Sequence, residues 1–274
     1  MVDQAIKLSE QQKQDLLQRY GSSSTATIES LTYGTVRDFC DSRDHIPYLS
    51  SIQGDLKDLQ RPAALKAILK LCAPGSSLLE IGAGEPHVAH ILCELGYKVT
   101  VVDPYDGSGR GPQEFEYYQE KYPDITIIRD IFSDRLTDLE RNSFDCIYSI
   151  SVLEHVPQNA LPEVFDGVRH FLKIDGYSLH IVDHVLAGSD SQFHLLQLAE
   201  VLNLQAALSS DNNSKALYNF AQTLHLLTSD IDTYYLSAEG HNLWRGAVPY
   251  DQFPFRKVVS VQSCARYVKK HPRE

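Results

Sequence analysis

The chain is short of the residue types that mark specialised scaffolds. It holds one Met and one Trp in 274 residues, and its five cysteines (Cys40, Cys72, Cys93, Cys146, Cys264) form no C-x-x-C pair. Scattered thiols in odd number argue against a disulfide framework or a zinc site and favour a reducing cytoplasm. Cys93 and Cys146 fall in apolar periodic segments and read as small buried hydrophobes. No apolar run approaches the roughly 18 residues that span a bilayer, so no membrane partner is expected. Met1-Val2-Asp3-Gln4 lacks a basic segment followed by an apolar stretch, so no secretory signal is expected. Positive charge is also scarce: 25 Lys plus Arg against 36 Asp plus Glu leave a formal charge of −11. Such a surface is repelled by phosphate backbones, and the one basic cluster, Lys269-Lys270-His271-Pro272-Arg273, is short and reads as solvated. Nucleic acid is therefore not an expected partner.

The first quarter of the chain reads as helices. Ser9 with Gln12 makes a capping-box pattern ahead of Leu16, Leu17 and Tyr20, and Gly21 can close that helix. After the break Gly21-Ser22-Ser23-Ser24-Thr25, Ile28, Leu31, Val36 and Phe39 outline a second helix. A third starts near Pro62, with Leu65, Ile68, Leu69 and Cys72 on one face.

From Ser77 the pattern alternates between strand and helix. Leu78-Leu79-Glu80-Ile81, Val99-Thr100-Val101-Val102-Asp103, Ile125 to Ile128, Phe144 to Ile150 and Tyr177 to Val182 read as strands. Helices fall between them, one starting at Pro86 with Val88, Ile91, Leu92 and Leu95 inward, another carrying Leu161, Val164, Val168 and Phe171. Strands apolar on both faces that alternate with helices imply a parallel sheet covered on both sides, a doubly wound α/β fold. Residues 190–230 interrupt with two helical patterns joined at Asp211-Asn212-Asn213-Ser214. Tyr234-Tyr235-Leu236 and Lys257 to Val261 then resume the sheet, which Arg266-Tyr267-Val268 can extend. The expected organisation is a helical cap (1–74), an α/β core (75–185), a helical insertion (186–232) and C-terminal strands completing the sheet (233–274).

Ligands of open parallel sheets bind at the carboxyl ends of the strands, where strand order reverses. Gly82-Ala83-Gly84-Glu85-Pro86 lies at such an end, and its glycines permit a sharp turn and a close backbone approach. A dinucleotide or an adenosylmethionine could occupy it. The dinucleotide pattern G-x-G-x-x-G requires glycine at position 87, where the chain has His87. Glu80, two residues before Gly82, would repel a pyrophosphate but suits a cation. Asp103 ends the second strand, where an acid accepts from ribose hydroxyls in either carrier. Asp130, after the third, can accept from an adenine amine while Ile131 packs on the ring.

Four segments in order carry a resemblance to the class I S-adenosylmethionine-dependent methyltransferases: Leu79-Glu80-Ile81-Gly82-Ala83-Gly84, Val101-Val102-Asp103, Arg129-Asp130-Ile131, and Phe144-Asp145 through Ser151-Val152-Leu153-Glu154-His155-Val156. The resemblance spans residues of about 75 to 185 and implies a Rossmann-like, mostly parallel seven-stranded sheet, with S-adenosyl-L-methionine as cofactor. It implies that Glu80, Gly82, Ala83 and Gly84 contact the amino-acid part, that Asp103 with Pro104 holds the ribose, and that Asp130 and Ile131 hold the adenine. Ser149, Ile150 and Ser151 would line the floor near the methyl group. Pro86 departs from the family, which often has a third glycine there, and stiffens the loop. Simpler roles stand beside these: Glu80 as a strand-end acid, Asp103 as a turn former before Pro104, Asp130 as a helix cap.

Methyl transfer from a sulfonium is an in-line displacement, for which the protein chiefly supplies alignment. A hydroxyl or ammonium acceptor must also lose a proton to a nearby base. His155, after the fourth strand, is the first candidate; Asp183 and His184, at the end of the fifth and expected to face the same crevice, are the second, although Glu154-His155 also suits a structural or capping role. No ligand spacing demands a metal. Acceptor recognition is expected from the N-terminal helices and the insertion acting as a lid, with Tyr33, Arg37, His45 and Tyr48 on one side. Tyr234, Tyr235, His241, Trp244 and Arg245 stand on the other. The expected activity is methyl transfer to a small-molecule hydroxyl or amine. A non-catalytic binder of the same cofactor and a nicotinamide-dependent oxidoreductase are the competing readings, and a homodimer is left open.

Overall fold

A computed structural model of the chain describes residues 5–21, 29–50, 54–108, 111–209 and 213–268. Ser22 to Thr25, Ile28, Asp211-Asn212 and the basic tail from Lys269 lie outside the described residues.

The first quarter of the chain contains α1 (Glu10–Tyr20), β1 (Leu31–Tyr33), α2 (Val36–His45) and α3 (Lys57–Leu71). The Ser9–Gln12 box forms as the sequence indicates, each residue's side chain accepting from the other's backbone N–H. Two expectations change here. Leu31, read as helical, belongs to β1, and α3 begins five residues before Pro62, which sits inside it. Helix α3 is buried over much of its surface, with Leu59, Ala64, Leu65, Ile68 and Leu69 joined there by the polar Asp58 and Gln60.

The alternating region gives β2 (Ser77–Ile81), α4 (His87–Glu94), β3 (Lys98–Val102), α5 (Phe115–Lys121), β4 (Thr126–Ile128), β5 (Phe144–Ile150), α6 (Leu161–Phe171) and β6 (Leu172–Gly188). Helices α7 (Ser191–Leu208), α8 (Asn213–Ser229) and α9 (Ala238–Arg245) precede β7 (Arg256–Arg266). The strands described form one sheet in the order β1-β7-β6-β5-β2-β3-β4. From β6 to β4 the pairings are parallel, whereas β7 runs antiparallel to both β6 and β1.

The expected strand at Tyr234-Tyr235-Leu236 does not form. Thr233 and Tyr235 make only isolated bridges, to Thr35 and Val259. Leu31–Tyr33 takes the sheet edge instead, with Leu31 opposite Ser263. The seventh strand is thus supplied by the N-terminal segment.

Successive side chains of a strand point to opposite faces, and both faces here are apolar. Leu78, Val101, Tyr148 and Ile181 meet α1, α3 and α4, while Leu79, Ile147, Val182 and Val261 meet α6 and α7. In α6, Leu161, Val164, Val168 and Phe171 are each at most 7% exposed, a burial of roughly 1.5–3 kcal/mol per side chain. On the same helix Gly167 lets the backbone near Ser133 come close, since a Cβ there would lie 2.8 Å from Phe132 Cε1 and 3.0 Å from the Ser133 carbonyl carbon. Gly167→Val is expected to destabilise the fold by about 2 kcal/mol through overpacking. Urea unfolding measures this, and an unchanged midpoint would contradict the packing described.

Candidate functional site

Strand β2 pairs on one side with β3 and on the other with β5, so the chain order reverses at its carboxyl end. The loop leaving β2 there is held open by two glycines in the left-handed region, Gly82 at φ +66° and Gly84 at φ +58°. A Cβ on Gly82 would come within 2.8 Å of Val152 Cγ2. The Gly82 N–H donates to Val102 O at 2.8 Å, which ties the turn to β3.

Asp103 locks the second half of this loop. Its Oδ2 accepts from Gly84 N and its Oδ1 from Tyr105 N, both at 2.9 Å, and the Tyr105 hydroxyl donates to Gly84 O at 2.9 Å. Each carboxylate oxygen keeps a further lone pair for a ligand hydroxyl. Pro104, partly buried, bridges Asp103 to Tyr105, and Pro112 Cδ lies 3.5 Å from where a Cβ of Gly84 would stand. Pro86 serves as the cap residue of α4 and accepts from His90 N. Glu85 turns away to Lys121 Nζ and Tyr122 OH, both at 2.7 Å, and to His87. His87, then Lys121 and Tyr122, hold the Glu85 carboxyl well below the usual carboxylate range.

Glu80 is 3% exposed, and Tyr148 on β5 donates to its Oε2 at 2.9 Å. Burial pushes its carboxyl from 4.5 to about 7, while the Tyr148 hydroxyl and the positive charge of Arg61 in α3 pull the other way. A folded-state value above the unfolded one means that the native chain keeps a proton the unfolded chain has lost. This contribution to stability therefore falls as pH rises from about 4.5 to about 7. A cationic ligand on Glu80 needs the ionised form. Affinity for S-adenosylhomocysteine is thus expected to rise about tenfold between pH of about 6 and 8. Glu80→Gln should flatten that slope in calorimetric titrations, and an equal slope in the variant would contradict the assignment.

At the end of β4, Asp130 and Ile131 are both exposed, Ile131 at 68%, and Asp130 Oδ1 accepts from Ile131 N. At the end of β5 the expected floor divides. Ser149 is buried, with its Oγ 2.8 Å from His180 Nδ1, and His180 in turn meets Ser178 Oγ. Ile150 and Ser151 remain partly exposed, Ser151 at φ +57° with its N–H on Ile181 O. The side chain of Ser149 is therefore committed to the sheet interior.

The three candidate bases are not brought together. Asp183 and His184 are neighbours on β6 and point to opposite faces, so they do not share the crevice expected from the sequence. Asp183 turns to α3, where Gln60 Nε2 donates to its Oδ1 at 2.8 Å. His184 is 2% exposed, lies against the backbone of His194 in α7, and is pulled by burial to about 4, a neutral ring. His155 is exposed on the loop after β5. Its neighbour Glu154 is buried, accepts from Asp183 N at 2.9 Å, and is pushed up to about 8 by burial and by Asp183. Burial raises the Asp183 carboxyl too, against the pull of Gln60.

Sequence reasoning missed Gln60, Arg61, Tyr105, Tyr148 and His194. Tyr148 stands directly across from Glu80 in the β2–β5 register, a relation visible only once the pairing is known. His194 comes from the insertion and places Nδ1 3.0 Å from Asp183 O.

A family model described as a methyltransferase domain matches residues 57–270. No curated protein matches the chain in sequence. Among solved structures, Haemonchus contortus phosphoethanolamine N-methyltransferase 2, bound to phosphomonomethylethanolamine and S-adenosylhomocysteine, is 17% identical with a TM-score of 0.47. That match covers 77% of this chain and 52% of the other, so the chain spans about half of that enzyme. Burkholderia thailandensis 1,6-didemethyltoxoflavin-N1-methyltransferase is 17% identical over 98% of this chain and 94% of that one, with a TM-score of 0.46. Geranyl diphosphate C-methyltransferase of Streptomyces coelicolor A3(2) is 12% identical over 96% and 100%, also at 0.46. No helix among the described residues is long and apolar enough to cross a membrane.

Proposed function

The chain belongs to the methyltransferase-domain family, and from that premise we propose that it transfers a methyl group from S-adenosylmethionine to a hydroxyl or amine of a small molecule. The observation that carries this reading is the buried acid Glu80 standing before a left-handed glycine loop that Asp103 locks in place. These residues fit a zwitterionic, adenosine-bearing cation. Glu80 supplies a negative charge for an ammonium, and Arg61 a positive one for a carboxylate. Gly82, Ala83 and Gly84 offer backbone without bulk, Asp103 and Pro104 the ribose wall, Asp130 an acceptor, and exposed Ile131 an apolar shelf. When bound, S-adenosylmethionine supplies an electrophilic methyl carbon on a sulfonium.

The chain's own contribution is alignment, exclusion of water and control of a proton. Ile150 and Ser151 form the floor beside the methyl, with Ser149 contributing backbone alone. Helices α3 and α7 cover opposite faces of the sheet and both reach Asp183 at its carboxyl edge, α3 through Gln60 and α7 through His194. Asp183 is the base that the geometry favours. His184 is turned away, and His155 serves the loop.

Isothermal titration with S-adenosylhomocysteine tests the reading. Binding with a dissociation constant on the order of micromolar is expected. Binding of NAD in its place would remove the proposal.

A further inference from the structure

Around Asp183 the chain leaves polar atoms of buried side chains unused. Gln60 is 0% exposed and gives its amide nitrogen to Asp183, which leaves its Oε1 without a partner among the described residues. Glu154 is 4% exposed and uses one oxygen on Asp183 N, while its Oε2 is equally without a partner. Asp183 itself is partly exposed and stands two residues past the pairing of Ile150 with Ile181, beside the proposed floor. With its carboxyl pushed up to about 8, Glu154 holds a proton and leaves the negative charge to Asp183. Gln60 Oε1 and the Asp183 carboxylate can then only accept; buried acceptors without donors are costly, and a site that keeps them suits a ligand rich in donors.

Resting on the methyl-transfer reading above, we propose that the acceptor is an amine and that Asp183, held by Gln60, receives its proton. An ammonium brings up to three N–H donors and a charge opposite to that of a carboxylate. A hydroxyl brings one donor and turns its lone pairs toward oxygens that cannot answer them. A carboxylate is also much closer in basicity to an amine than to an alkoxide. In the step, one N–H proton passes to Asp183. The freed nitrogen lone pair forms the bond to the methyl carbon as the carbon–sulfur bond breaks, its electron pair staying on sulfur. The products are an N-methylammonium and S-adenosylhomocysteine.

Asp183 is the catalytic residue in this account, Gln60 a positioning residue, and Glu154 the buried neighbour that accepts from the Asp183 backbone N–H. Asp55, Lys57 and Gln60 face Asp183 from the cap, Glu154 from the loop after β5, and His194 from α7. His194 in turn feels His155 and Arg256. The Gln60 hydrogen bond favours the ionised form of Asp183, so its removal moves the titration of Asp183 upward.

The experiment supplies S-adenosylmethionine with a deuterated methyl group. The panel contains primary and secondary amines (ethanolamine, benzylamine, tryptamine, N-methylbenzylamine) and the alcohols and phenols of matching skeleton, with products read by mass spectrometry. The label is expected on nitrogen. Asp183→Asn should lower kcat by about 100-fold or more while S-adenosylhomocysteine binds within twofold of the wild type, which shows that the variant is folded. Gln60→Leu should move the acid limb of the kcat/KM profile to higher pH, a shift that a packing role alone does not produce. Label on oxygen, or bound cofactor with no amine labelled, overturns the assignment and leaves cofactor binding intact. A wild-type protein that fails to bind S-adenosylhomocysteine removes the methyl-transfer reading itself.

Discussion

Replacing Asp103 by alanine is expected to weaken S-adenosylhomocysteine binding by about 100-fold or more. Two effects combine. The Asp103 carboxylate accepts from Gly84 N and Tyr105 N at once, so its loss frees the glycine loop and the segment that crosses it. Hydrogen bonds to a charged acceptor are worth about 1.5–3 kcal/mol each, and each 1.4 kcal/mol or so is about tenfold in affinity. The proposed ribose contacts are lost as well. Asp103→Asn retains one acceptor oxygen and should lose about tenfold. Asp130→Ala removes an exposed acid that accepts from its neighbour's N–H, and should cost less than about fivefold. Calorimetry on the three variants gives the ranking. Equal losses at Asp103 and Asp130 would show that the loop is not the binding element.

Arg61→Gln is expected to separate two ligands that differ in one part. S-adenosylhomocysteine carries an amino-acid end, and 5′-methylthioadenosine carries the same adenosine without it. Arg61 lies near enough to Glu80 to favour its ionised form, which places opposite charges where an α-amino acid presents its own. Loss of a charge-assisted contact to a carboxylate costs roughly 1.5–3 kcal/mol. The variant should therefore bind S-adenosylhomocysteine about 10- to 100-fold more weakly and methylthioadenosine as the wild type does. Equal weakening of both ligands would mean that Arg61 supports the cap and not the ligand.

Local pattern and the alternation of strand with helix are legible in the sequence where chemistry is local. The capping box at Ser9, the doubly wound alternation and the Glu80–Gly84 loop rest on neighbouring residues and a periodicity of two or 3.6. What escaped depends on pairing across distance. Leu31–Tyr33 looks helical alone and becomes a strand because β7 offers an edge there. Tyr234 to Leu236 has strand composition but finds that edge taken. In the site, Glu80 and Asp103 could be named from their strand ends. Tyr148 and Gln60 could not, because their roles come from a register and from a helix packed over the sheet. Asp183 and His184 are adjacent in sequence, and strand alternation turns them to opposite faces. Ser149 stands where position alone implies a floor residue, whereas its hydroxyl serves His180.

A crystal structure of the protein with S-adenosylhomocysteine tests the account most directly. The ligand's amino-acid end should lie between Glu80 and Arg61, its ribose against Asp103, its adenine on Ile131, and its sulfur should open toward Ile150, Ser151 and Asp183. Ligand seated elsewhere, for example in the cavity of about 740 Å³ lined by Leu16, Tyr20, His45 and Tyr48, would contradict it.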